Sequence, residues 1–137
     1  MISKLSCALL FVGACSAQFV ATQAEGCPDI HVFGARETTA RPGFGTAQDV
    51  VQSIQQTNPG ATREAIEYPA AGGQNYSSSV RAGVRAVVDQ LTNFTITCPS
   101  TQLVLIGYSQ VSFQFLATLH LTLLCNRCIS IVDAQAE

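Results

Sequence analysis

Lysine occurs once in this 137-residue chain, at Lys4, and charged residues make up only 12% of it, for a formal net charge of −2. That scarcity excludes a basic stripe able to track phosphates or to bind anionic lipid, so nucleic acid is not an expected partner. Long apolar runs are also missing. The stretch from Leu5 to Ala14 is short, and the stretch from Val111 to Cys125 is interrupted by Gln114 and His120. Neither reaches the roughly 20 apolar residues of a membrane span. No internal repeat or low-complexity linker is visible, so the chain forms one domain at most. Histidine is limited to His31 and His120, which leaves few candidates for a general base.

What is present suits a globular protein, since 47% of the residues are hydrophobic. Residues 1–17 read as a secretory signal: Lys4 gives the positive start, Leu5 to Ala14 the apolar stretch, and Cys15-Ser16-Ala17 small residues for cleavage. A second cleavage position lies nearer Ala24. Export removes Cys7 and Cys15 and leaves Cys27, Cys98, Cys125 and Cys128 in an oxidising compartment, where disulfides form. Cys125 and Cys128 make a lone C-x-x-C, too little to imply metal or redox chemistry. The sequons Asn75-Tyr76-Ser77 and Asn93-Phe94-Thr95 fit the same route.

Strand and helix signals alternate. Asp29 to Ala35 is rich in strand formers, Thr46 to Thr57 carries Val50, Val51 and Ile54 at helical spacing, and Thr62 to Tyr68 is a weaker strand. Ser77 to Ser79 are expected to cap a helix of about four turns whose apolar face is Val80, Val84, Val87, Val88 and Leu91. Leu103 to Ile106 is a continuous apolar run, as in a parallel strand covered on both sides. Strands alternating with helices predict an α/β fold with a parallel sheet.

Gly107-Tyr108-Ser109-Gln110 follows that last strand, where a nucleophile elbow turns sharply into a helix. Such a turn lifts the serine hydroxyl above the sheet, and the helix N-terminus stabilises a developing oxyanion. An isolated Gly-x-Ser is more often an ordinary helix cap. Its position after a predicted strand favours Ser109 as a nucleophile.

This segment resembles the nucleophile signature of the cutinase family of serine esterases. Ile30-His31-Val32-Phe33-Gly34-Ala35-Arg36-Glu37-Thr38-Thr39 is similar to the first strand and loop of that family's acetylxylan esterases, and Cys27-Pro28 and Tyr68-Pro69-Ala70 fall in matching order. The resemblance covers Cys27 to Gln110 and implies an incomplete three-layer α/β-hydrolase fold over residues 18–110. It implies an oxyanion hole at Thr38 and Gln110 and a disulfide between Cys27 and Cys98. It also implies a secreted, extracellular carboxylic ester hydrolase that deacetylates xylan through an acyl-serine intermediate. No cofactor is implied, and a monomer acting on plant cell-wall material is expected. A cutinase cleaving cutin polyester is the alternative, and a non-catalytic secreted product is another.

The chain departs from the family after Gln110. Val111 stands where the family has a glycine, and residues 111–137 read as a divergent apolar tail. The hydrolase order is serine, acid, histidine, whereas here His120 precedes Asp133. His31 reads as a packed strand residue, and His120 lies in a run that a helix would carry away from Ser109. Gln110-Val111-Ser112 is also what an in-frame splice donor translates to, so a retained intron is one expectation for the tail. Impaired activity of this chain follows from the missing pair.

Overall fold

The computed structural model describes residues 26–107 and 130–133. In chain order the elements are strand β1 (Ile30–Ala35), helix α1 (Gln48–Thr57) behind a short 3-10 turn at Gly45–Ala47, and strand β2 (Thr62–Ala65). Helix α2 (Tyr76–Thr97) follows a turn at Gly73–Asn75, and strands β3 (Gln102–Gly107) and β4 (Ser130–Asp133) complete the set. The strands form one sheet in the order β2-β1-β3-β4, and every pairing is parallel. The α/β fold expected from the alternation is the one observed.

Strand periodicity sorts the core into two layers. Phe33 and Ala35 on β1 and Leu103 and Leu105 on β3 cluster with Ile66 and with Val87 and Leu91 of α2. The intervening Val32, Val104 and Ile106 cluster with Ala47 and with Val51 of α1. Each large side chain buried here contributes about 1.5–3 kcal/mol, which is why β3 reads as a continuous apolar run and β1 carries Val32 and Phe33 side by side.

Several boundaries differ from expectation. Helix α2 is 22 residues long, and it starts at Tyr76, so Ser77 to Ser79 lie inside it. Its cap position is Asn75, which makes no side-chain capping bond. Ser79 is buried instead, and its hydroxyl accepts the Ala71 N–H at 2.9 Å, fixing the preceding loop. The far end extends because the Thr95 hydroxyl bonds back to the Leu91 carbonyl at 2.9 Å and Phe94 packs on the core. Ser79, Gly83, Val87 and Leu91 make the buried line of the helix, whereas Val88 is exposed.

Strand β2 ends at Ala65, short of the expected Tyr68, because its neighbours leave the ladder for other work. Ile66 N–H still bonds to the Gly34 carbonyl at 2.8 Å, but Ile66 and Tyr68 then turn their own carbonyls towards Arg36. Strand β4 lies within the stretch expected to be a divergent tail. Cys27 and Cys98 form a disulfide with Cα atoms 5.6 Å apart. It ties the approach to β1 to the end of α2 across 71 residues of sequence. Cys125, Cys128 and residues 1–17, expected to be a signal, lie outside the described residues, and no helix among those described is long and apolar enough to cross a membrane.

Candidate active site

Register sets where a site can form. Ala35 at the end of β1 pairs with Gly107 at the end of β3, and Gly107 pairs with Asp133 at the end of β4. Three parallel strands therefore finish in one row, and open α/β sheets bind ligands at that carboxyl edge. The loop carrying Thr38 leaves from Ala35. Gly107 is two residues before Ser109, and Ser109, Gln110, Val111 and His120 lie outside the described residues.

The Thr38 loop is held in a costly shape. Thr39 has φ 67° and Ala70 has φ 51°, both in the left-handed region. A β-branched residue there costs about 1–3 kcal/mol and persists only where its surroundings enforce it. The enforcing contacts are visible: Thr39 N–H donates to the Ala70 carbonyl at 2.7 Å, and the Thr39 hydroxyl donates to the Thr38 carbonyl at 2.6 Å. Gly72 closes against the same place, since a Cβ built on it would stand 3.3 Å from Thr38 Cγ2. Thr38 is half-buried at the centre of this arrangement.

Beneath the loop sits Arg36, only 4% exposed. Its Nε donates to the Ala40 carbonyl at 3.2 Å, Nη1 to the Ile66 carbonyl at 3.4 Å, and Nη2 to the Tyr68 carbonyl. The Tyr68 hydroxyl donates in return to the Arg36 carbonyl, and the guanidinium carbon lies 4.9 Å from the centre of the Tyr68 ring. Burial pushes the Tyr68 hydroxyl above its ordinary pKa, against the opposing pull of the Arg36 charge. A planar fork with five donors suits this task as no other side chain does. Arg36 reads in sequence as part of a polar loop. Its one signal is its place directly after an apolar strand.

Glu37 secures the next turn by accepting the Thr46 N–H at 3.0 Å and the Thr46 hydroxyl at 3.1 Å. Burial raises its pKa, but these bonds outweigh that and hold it below the ordinary carboxylate value. Gly45 is required here, with φ +55° and a hypothetical Cβ only 2.2 Å from Glu37 Oε2.

His31 is placed for packing. It lies near the amino end of β1, away from the Thr38 loop, and its ring stacks on Phe94 with centroids 4.0 Å apart. Nδ1 is 2.6 Å from the Thr62 hydroxyl, while Nε2 is buried without a hydrogen bond and stands 3.8 Å from Glu64 Oε2. Burial lowers its pKa, with Glu64 opposing. Among the described residues no group of three metal-ligating side chains comes together.

A sequence model of the Cutinase family matches residues 26–122. The chain belongs to the cutinase family. The matched stretch runs past Gln110, where the resemblance read from the sequence ends, to residue 122. This cutinase-family chain is 54% identical over 90 residues to acetylxylan esterase 2 of Talaromyces purpureogenus, covering 61% of the chain and 38% of that relative. It is 47% identical over 113 residues to cutinase 11 of Verticillium dahliae, covering 78% of the chain and 38% of that relative. The catalytic core domain of acetyl xylan esterase from Trichoderma reesei superposes with a TM-score of 0.62 at 50% identity, covering 65% of this chain and 46% of that one. The chain thus spans about two fifths of the length of the two relatives compared by sequence. The first relative is named as an acetylxylan esterase and the second as a cutinase, and the fold is shared with the solved esterase core.

Proposed function

We propose that this chain carries the nucleophile side of a carboxylic ester hydrolase that removes acetate from xylan. In this reading Ser109 attacks the ester carbonyl, and Thr38 and the Gln110 N–H stabilise the oxyanion. Each such donor contributes about 3 kcal/mol in a dry site. The observation that carries the reading is the in-register pairing of Ala35 with Gly107, because the segments leading to Thr38 and Ser109 then depart from neighbouring strands at one edge. The rigid, strained loop beside Thr38 supports it, since an oxyanion donor works by being fixed before the reaction.

The proton-transfer side is the weak half. A serine hydroxyl is almost wholly protonated at neutral pH and needs a base to become an effective nucleophile. In this sequence His120 precedes Asp133, against the serine, acid, histidine order of the fold. The 137-residue chain is therefore proposed to be impaired. Residues 1–17 are proposed to export it, with the Cys27–Cys98 disulfide as the supporting observation.

The relation to cutinase 11 favours a second reading, in which the ester is a plant polyester. Acetate release from acetylated xylan, measured beside hydrolysis of a long-chain ester with the later strands of the fold supplied, separates the two. Ser109-dependent acetate release with little action on the long-chain ester supports the first reading. The reverse preference selects the second.

A further inference from the structure

Two sequons occur in the described part of the chain, and the structure treats them differently. In Asn93-Phe94-Thr95 the motif lies inside helix α2, where the Thr95 hydroxyl is spent on the Leu91 and Thr92 carbonyls and Phe94 stacks on His31. In Asn75-Tyr76-Ser77 the asparagine stands at the helix boundary, exposed, and its side chain makes no capping bond although that position favours one. Tyr76 and Ser77 are exposed too. The same short loop brings Gly72 against Thr38, and Asn75 follows Gly72 at the end of the turn Gly73–Asn75.

We propose that Asn75 is an N-glycosylation site whose oligosaccharide stands beside the Thr38 loop. The proposal rests on the export reading and is independent of esterase activity. In the transfer the Asn75 amide nitrogen bonds to C1 of the sugar of a polyprenyl-diphosphate oligosaccharide and gives up one proton. The bond from C1 to the diphosphate breaks, and the lipid diphosphate departs with its electron pair. A glycan there adds a bulky, solubilising group next to the exposed Tyr76 ring. It leaves the two core clusters untouched.

The test translates the full chain in the presence of endoplasmic-reticulum microsomes and scores only the protease-protected fraction, so export and modification are read separately. The expected result is a peptide containing Asn75 that carries one core glycan, released by endoglycosidase and absent in both Asn75→Gln and Ser77→Ala. An unmodified Asn75 peptide in protected wild-type chain, with or without a glycan at Asn93, overturns the proposal.

Discussion

Arg36 and Tyr68 hold each other's backbone: the guanidinium donates to the Tyr68 carbonyl, and the phenol donates to the Arg36 carbonyl. The pair spans 32 residues of sequence and joins the loop after β1 to the segment after β2. Arg36→Lys keeps the charge but loses the fork, leaving at least one of the Ala40 and Ile66 carbonyls unpaired. It should cost about 2 kcal/mol, and Tyr68→Phe about 1–2 kcal/mol. The double variant should depart from additivity by about 0.5 kcal/mol or more, as contacting partners do. Urea titrations of the four proteins measure this. Additive losses within about 0.3 kcal/mol would deny that the two residues act as one clamp.

His31 makes stability depend on pH. Burial holds its folded pKa below the ordinary 6.5, despite Glu64. Between the folded value and 6.5 the unfolded chain binds a proton that the folded chain does not, so stability rises with pH in that window. Stability is therefore full above pH 6.5 and falls as pH drops through it. Urea midpoints at pH 7.5 and pH 5.5 should differ in the wild type and differ less in His31→Gln. Removing the opposing carboxylate with Glu64→Gln should lower the folded pKa further, carry the fall to lower pH and enlarge it. A wild-type midpoint lower at pH 7.5 than at pH 5.5 would reverse the sign of the argument.

The Cys27–Cys98 bond closes a long loop. Its removal by a paired Cys27→Ala and Cys98→Ala change should cost about 4 kcal/mol in the chain-entropy account. Thermal unfolding of the two forms checks this, and a loss below about 1 kcal/mol would show that the fold scarcely depends on the bond.

Gly34 is a close-approach position in β1, where an added Cβ would lie 2.5 Å from Phe44 Cδ1. Gly34→Ala must displace the Phe44 ring and should destabilise by about 1–3 kcal/mol. Equal urea midpoints for the two proteins would mean that the ring moves freely.

Much of the fold was legible because local signals and tertiary needs agree. The strand formers of β1 and the apolar run of β3 suit strands covered on both faces, and Val51 with Ile54 marks the inner side of α1. The cysteine pairing came from resemblance, since spacing alone leaves the partners open. Other features depend on distant residues. Nothing local to Arg36 announces burial, because the carbonyls it serves come from Ile66 and Tyr68. Ser79 reads as a cap but is claimed by Ala71. Ser130–Asp133 is too short to declare a strand, and its pairing is supplied by the edge of β3. Of the proposed site, Thr38 was placed on its loop by the resemblance, while the strained backbone at Thr39 and Ala70 has no glycine or asparagine to reveal it.

The proposed nucleophile Ser109 and its proposed oxyanion donors Thr38 and Gln110 stand in a 137-residue chain whose His120 precedes Asp133, against the serine, acid, histidine order of the fold. Loss of triad members lowers turnover by about a million-fold and leaves roughly a thousand-fold over water. The direct measurement is turnover of a small acetyl ester by the purified, folded 137-residue chain and by its Ser109→Ala variant. The account predicts rates near background for both, with little difference between them. Ordinary esterase rates that vanish in Ser109→Ala would contradict it and make His120 the first residue to replace in search of the base.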